Sequence, residues 1–477
     1  MSLAPATPHK TLNAIVGAAL ERADSAGIIT RCLRVEGTGA ASVLRVTTET
    51  GSHRLELGAF ERLLVIGIGK AAARMGRSLE AVLGDRISAG VVVTKYGHGE
   101  PLSRLELYEA GHPVPDEAGV RAARRMEELL ADTDERTLVV SLVSGGGSAL
   151  LVDPYHDGSH ELTLADLQEV TRLLLSCGAT IQEMNCLRKH LSSVKGGRLA
   201  RMMMPATSLN LILSDVVGDD PASIASGITA PDPSTYGQAL EIATRYGILE
   251  SLPAAARALV EAGAGSASTT PPETPGPGDP VFERVHNVVI GSNTQALLAA
   301  AEAARGAGYT TIVLTSRLVG EAREVAKIFP AMARDVREKG MLAAPPVCVL
   351  AGGETTVTLR NADGRGGRNQ ELLLSALREM VVAESSAAPG DGGATPTAAS
   401  RIIFASVATD GNDGPTDAAG AYLDETVVRS AAGDTAALER ALAENNAHPY
   451  LEELGALIRT GPTNTNVCDI QVLLVDA

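Results

Sequence analysis

The chain has 477 residues, 45% hydrophobic and 21% charged, which is the composition of a globular protein with sizeable cores. A formal net charge of −16 argues against nucleic acid or an anionic membrane surface as partner, and 3% aromatics with no Trp leaves few stacking platforms for single strands. No apolar run reaches the ~18–20 residues of a membrane span, and five Cys (32, 177, 186, 348, 468) without a CxxC pair fit reduced thiols in a cytoplasmic setting.

Leu12, Ile15, Val16 and Leu20 recur at helical spacing and predict a surface helix within the first 29 residues. Apolar β-branched runs at 63–68, 90–93, 137–143 and 209–213 predict strands, with helices over 71–83, 119–130 and 164–176. A second set of strands is expected at 287–290, 310–314, 347–350, 402–407 and 467–475, with helices near 293–305, 319–338 and 368–382. Continuous apolar strands separated by helices imply parallel sheets covered on both faces. The expected fold is α/β, two doubly wound domains with largely parallel sheets and an active-site cleft between them. The domains are read as 1–263 and 281–477, joined by the Gly/Pro-rich loop or linker 264–280. A second stretch without apolar residues, 384–400, reads as a mobile insertion.

In open α/β sheets ligands bind beyond the carboxyl ends of strands, so the loops there carry the candidates. Gly67-Ile-Gly69-Lys70-Ala-Ala72 follows the first strand and matches the loose dinucleotide fingerprint. The acid such a site wants after the next strand is missing, for Thr94-Lys95 stand there, and Ala71 rules out a Walker A loop. Lys70 at a helix start then reads either as half of an anion site or as a solvated lysine. Ser144-Gly145-Gly146-Gly147-Ser148 repeats the layout: its amides and hydroxyls can converge on a phosphate, or it is a tight turn.

Between 185 and 198 the acidic chain turns cationic, with Arg188, Lys189, His190, Lys195 and Arg198. Arg188 and Lys189 suit phosphate or carboxylate, while His190 reads better as a structural residue than as a base. Asp215, just past a strand, suits either Mg²⁺ or a turn, and Asp219 and Asp220 read as turn residues. The last third carries glycine-framed charged motifs: Gly352-Gly-Glu354-Thr-Thr356, Gly364 to Glu371, and Thr409 to Asp417. Arg368 opens an apolar helix, against the dipole, and so calls for an anion. Asp410, Asp413 and Asp417 suit Mg²⁺–nucleotide coordination or substrate hydroxyls.

Together with Gly111-His-Pro-Val-Pro-Asp116 and Leu213-Ser-Asp-Val216, and in this order, these motifs resemble the glycerate 2-kinase family (class II glycerate kinase) from about Val65 onward. The family joins a Rossmann-like N-terminal domain to a C-terminal MOFRL domain. The resemblance implies ATP- and Mg²⁺-dependent phosphorylation of D-glycerate at its 2-hydroxyl, giving 2-phosphoglycerate. It implies a catalytic lysine and arginine facing each other across the cleft, which fall on Lys70 and Arg368. Gly67, Gly69, Ser144 to Ser148 and Lys189 are then expected at the nucleotide phosphates, Arg188, Glu354 and Asp413 at the substrate, and Asp215 and Asp410 at the metal. The sequence departs from the family pattern at Ile228, Asn412, 446–448, Asn464 and Cys468; Gly and Asn are commoner at the last two. A rival expectation is an NAD(P)H-dependent hydroxypyruvate reductase, a label attached to relatives, with Lys95 facing a 2′-phosphate. A non-catalytic nucleotide-binding protein is a third, and a homodimer is left open.

Overall fold

The structure is a computed structural model describing residues 7, 9–49, 51–265, 270–386 and 399–477; most of the predicted insertion 384–400 lies outside them. Two compact units emerge, Ser25–Ile290 and the pairing of Met1–Asp24 with Gly291–Ala477. No helix among the described residues is long and apolar enough to cross a membrane.

The Ser25–Ile290 unit begins with a small antiparallel sheet of β1 (Leu33–Glu36), β2 (Val43–Thr48) and β3 (Gly51–Glu56). β3 is exposed along most of its length and none of the three strands is a long apolar run, so the sequence pattern gives them no signal. The main sheet follows: β4 (Arg62–Ile68), β5 (Ala89–Lys95), β6 (Glu106–Ala110), β7 (Thr137–Val143), β8 (Thr207–Leu213) and β9 (Val285–Gly291). Every residue of β7 is buried, as befits a strand covered on both faces. The strand order is β6-β5-β4-β7-β8-β9, and the β4/β5, β5/β6, β4/β7 and β7/β8 pairs are parallel. This is the doubly wound order of dinucleotide-binding folds, whose switch point falls between the first and fourth strands, here β4 and β7. Helix Ala72–Leu83 leaves β4, and helix Glu117–Leu130 leaves β6 with Asp116 capping the amides of Ala118 and Gly119.

Two boundary readings change. β9, expected to open the second domain, is the edge strand of this first sheet. The 264–280 stretch is no free linker where described. Its residue Thr274 is 4% exposed and donates to Asp232, Pro275 accepts from the Asp232 amide at 2.9 Å, and Pro272 accepts from Arg198. A segment poor in apolar groups is held by its backbone carbonyls and hydroxyls, so composition misjudged it.

The other unit holds β10 (Thr310–Leu318), β11 (Val347–Gly353), β12 (Ile402–Ala408), β13 (Gly420–Leu423), β14 (Leu457–Ile458) and β15 (Asp469–Val475), ordered β10-β11-β15-β12-β13-β14. The expected parallel run exists in part: β10 and β11 pair parallel, and β11 and β12 both run antiparallel to β15. The final strand enters between them from a coil with no crossover helix, which permits an antiparallel insertion. The predicted N-terminal helix forms over Lys10–Ala23, yet Leu12, Ile15, Val16 and Leu20 are fully buried against helix Asn293–Gly306. An amphipathic stripe shows that a face will be covered and leaves its partner unspecified.

Candidate active site

The two glycine loops meet at the switch point of the first sheet. The Ser144 amide donates to the Ile68 carbonyl at 2.9 Å, the Lys70 amide to Gly145 at 2.9 Å, and the Ala71 amide to the Ser144 hydroxyl at 3.1 Å. Such lacing needs bare backbone. A Cβ on Gly69, whose φ is +125°, would stand 2.4 Å from the Ser144 carbonyl oxygen, and one on Gly67 would strike Val92. Gly69 itself donates to Val93. The first loop therefore has its amides taken up by protein, and Gly67 and Gly69 serve close packing rather than phosphate donation; Ser144 likewise has its hydroxyl engaged.

The second loop differs. Among the described residues nothing accepts from the amides of Gly146 and Gly147, which open the short helix Gly147–Leu150. Gly146 is left-handed at φ +83°, and successive amides in such a turn form an anion-binding concavity. The Lys70 side chain lies beside it, its Cγ 3.2 Å from where a Gly146 Cβ would be, and no described carboxylate stands within ion-pair distance of its ammonium. Asp215 borders the same loop, its Oδ2 2.2 Å from a Cβ built on Gly145. Burial pushes its carboxyl up, and Lys70 opposes that shift. A single carboxylate at the rim suits a Mg²⁺ shared with phosphate oxygens.

Two histidines unassigned from the sequence complete the wall. His112, of the Gly111–Asp116 motif, touches Gly146 and is lowered to about 4 by burial, then by Lys70, Lys95 and His98. His98 is lowered too, by burial and then Lys95 and Lys70. Burial first and the neighbouring lysines second disfavour the charged form of both imidazoles, and the lysine share marks an electropositive pocket that an anion would relieve. The clue in the sequence was the spacing of Lys95 and His98 after β5, where an acid had been sought.

A smaller pocket is lined by Ser148, Arg188 and Lys195. The Ser148 hydroxyl is 2.7 Å from that of Ser226, which donates to Asn185 at 3.3 Å. Ala225 and Ser226 hold positive φ of 49° and 59°, backbone strain of the kind that gathers at functional sites. Arg188 is half-buried, its affinity for the proton lowered by burial alone, and Lys195 is pushed down to about 7 by burial and by Arg188. Arg188 and Lys195, the latter acted on by the Asp153 carboxylate and donating to the Leu151 carbonyl at 3.1 Å, face one pocket that suits a small acid. Lys189 does not join them: it is 7% exposed and its ammonium donates to Asp232 at 3.1 Å. It belongs to a buried structural ion pair rather than to phosphate. His190, fully buried between the Cys186 carbonyl and Glu273, is structural as expected.

In the other unit Arg368 opens helix Arg368–Ser386, and the anion it calls for is supplied by the chain. Its Nε and Nη2 donate to Asp469 at 2.5 and 2.9 Å, and Nη1 pairs with Glu354 at 2.7 Å. Burial pushes the Asp469 carboxyl up, while Arg368, in a bidentate contact, pulls it down. Glu354, expected at the substrate, thus faces Arg368. Asp413, also expected there, is 1% exposed and accepts from the amides and side chains of Asn369 and Gln370. It caps the helix start instead. Asp410 is half-exposed and accepts from the Asn412 amide at 3.0 Å. The glycines here admit close neighbours: a Cβ on Gly352 would meet Asn293 at 2.1 Å, and one on Gly367 would meet Asp413 at 2.3 Å. Asp469 is the residue that motif reading missed, because nothing in Val467–Val475 marks it apart from a strand start.

The model of a domain of unknown function, DUF4147, matches residues 11–261, and that of the MOFRL family matches 347–469. Glycerate 2-kinase of Pyrococcus horikoshii is 39% identical, with 87% of each chain covered. The solved structure of glycerate kinase from Thermotoga maritima superposes with a TM-score of 0.78 at 34% identity, covering 97% of both chains. The chain belongs to the glycerate 2-kinase family. A protein of Agrobacterium vitis that carries a hydroxypyruvate reductase name is 42% identical over 87% of each chain. Within the family pattern, the departures at Asn464 and Cys468 now have a physical reading. Both residues hold left-handed backbone, at φ 57° and 65°, where the Gly and Asn that the resemblance leads one to expect fit with less strain.

Proposed function

We propose that this protein transfers the γ-phosphoryl group of ATP to the 2-hydroxyl of D-glycerate, releasing ADP and 2-phosphoglycerate. The observation that carries the reading is the pair of open amides at Gly146 and Gly147 beside Lys70 and Asp215, at the switch point of the sheet. Phosphoryl transfer asks little covalent chemistry of a protein; it asks for positioning and for charge neutralisation. The Gly146–Gly147 loop would hold phosphate oxygens, and Lys70 would stabilise the transferring group. Asp215 would hold Mg²⁺, which when bound neutralises phosphate charge. Arg188 and Lys195 would orient the carboxylate of glycerate, leaving its 2-hydroxyl oxygen to attack phosphorus as the bond to ADP breaks. Arg368, oriented by Asp469, is the second cation assigned to transfer, and Asp410 is a further carboxylate for the metal.

The test is ADP release on D-glycerate with the product identified as the 2- or 3-phosphate. Lys70→Ala should lower kcat by roughly 10³-fold or more, the scale of losing a cation from the transferring group; near-normal turnover removes Lys70 from the mechanism. The reductase name borne by a relative motivates one rival arm, oxidation of NADH or NADPH by hydroxypyruvate. The first glycine turn is filled by Ser144 and β5 ends at Lys95 without a carboxylate, so no oxidation is expected.

A further inference from the structure

A second polar cavity lies apart from the glycine loops, between helix Glu117–Leu130 and the segment after the short helix Gly147–Leu150. Its charged lining is mostly acidic, Glu117, Glu127, Glu128, Asp153 and Glu161 against Arg124. None of these groups has a part in the transfer described above. One ligating atom each from Glu127, Asp153 and His156 lies within 4.8 Å of the other two. Atoms bound to one ion at ~2.1 Å stand at most roughly 4.2 Å apart, so side-chain adjustments of less than about an ångström close the set.

A cluster of acids is common on protein surfaces, and Asp153 is what sets this one apart. It is 4% exposed and lines the cavity, yet its carboxylate accepts no hydrogen bond from any described residue; its nearest charged contact is His156 Nδ1 at 3.9 Å. Buried carboxylates are otherwise hydrogen-bonded or metal-bound. His156 is held as metal-binding imidazoles are: Nδ1 sits 3.0 Å from the Pro154 carbonyl and 3.2 Å from the Ser193 hydroxyl.

We propose that Glu127, Asp153 and His156 form a binding site for a divalent transition ion of the Mn²⁺ to Zn²⁺ group, separate from the Mg²⁺ of the nucleotide. One imidazole with two carboxylates suits these ions better than Mg²⁺ or Ca²⁺, which take oxygen alone. The ion ties helix Glu117–Leu130 to the segment bearing Asp153 and His156, so it acts on stability rather than on transfer.

The experiment uses tag-free, chelator-treated full-length protein, titrated with Zn²⁺ and separately with Mn²⁺ by calorimetry, with bound metal counted after dialysis. The wild type is expected to bind one equivalent and to rise in thermal midpoint with Zn²⁺. Glu127→Gln, an exposed substitution that leaves the fold alone, and His156→Ala should each weaken binding by more than about 100-fold. Ser193→Ala should weaken it by roughly 10-fold, the scale of losing an outer-shell partner. Binding that is equal in wild type, Glu127→Gln and His156→Ala overturns the site. So does binding that disappears in Asp215→Asn, which would place the ion at the glycine loops.

Discussion

Asp469→Asn isolates what a buried carboxylate does for Arg368. The substitution keeps the shape and one acceptor oxygen but removes the charge that meets Nε and Nη2 at 2.5 and 2.9 Å, at a position 1% exposed. A hydrogen bond to a charged group contributes ~1.5–3 kcal/mol. Asp413 lies close enough to raise the proton affinity of Arg368, Asp410 close enough to raise that of Asp469, and relief of this carboxylate crowding offsets part of the loss. The expected cost in stability is therefore ~1–2 kcal/mol, read from denaturant midpoints at constant slope. Arg368 keeps Glu354 but loses its fixed orientation, so kcat should fall about 10- to 100-fold with little change in KM for ATP. The deciding assay is a double-mutant cycle with Arg368→Ala. Once the guanidinium is gone, Asp469→Asn should alter kcat by less than about threefold. A full effect of Asp469→Asn in the Arg368→Ala background would show that Asp469 acts on its own, and the positioning argument would fail.

Gly69→Ala places a methyl 2.4 Å from the Ser144 carbonyl at φ +125°; it should cost ~2–4 kcal/mol and most of the activity, because the loops must part. Lys189→Ala leaves Asp232 buried without its ammonium and should destabilise by ~3–5 kcal/mol, while the folded fraction keeps its KM for ATP; a KM rise alone would restore Lys189 to the phosphate site. Burial pulls His190 down, and its Cys186 and Glu273 partners more than restore it, from 6.5 to about 9. Its contribution, at most about 3 kcal/mol, is full below pH 6.5 and lost as pH rises through about 9. Lys195, lowered from 10.5 to about 7, changes stability with the opposite sign over an overlapping range. The readout is thus the stability difference between wild type and His190→Gln, which should shrink with rising pH; a flat difference refutes it. Cys468→Asn relieves left-handed strain and should raise stability by ~1 kcal/mol, seen as a higher thermal midpoint.

Local chemistry was legible in the chain alone. Apolar β-branched runs made the strands β4, β5, β7 and β8, whereas β6, with no β-branched residue, gave no such signal, and the glycines at 67, 69 and 145–147 marked where backbone comes close. Lys70 stands just ahead of helix Ala72–Leu83, with the Asp215 carboxylate acting on it. What the sequence could not supply was the identity of partners. Arg368 at a helix start called for an anion, and the one it received comes from Asp469, 101 residues away. Asp413 reaches the amides of Asn369 and Gln370 across 44 and 43 residues, and Lys189 reaches Asp232 across 43. The N-terminal helix showed an apolar face and left open that the far half of the chain would cover it. Periodicity and spacing act over a few residues, because they reflect backbone geometry and the character of each side chain. Which charge neutralises which, and whether a glycine admits a phosphate or a neighbouring carbonyl, depends on distances that exist only once the strands have taken their order.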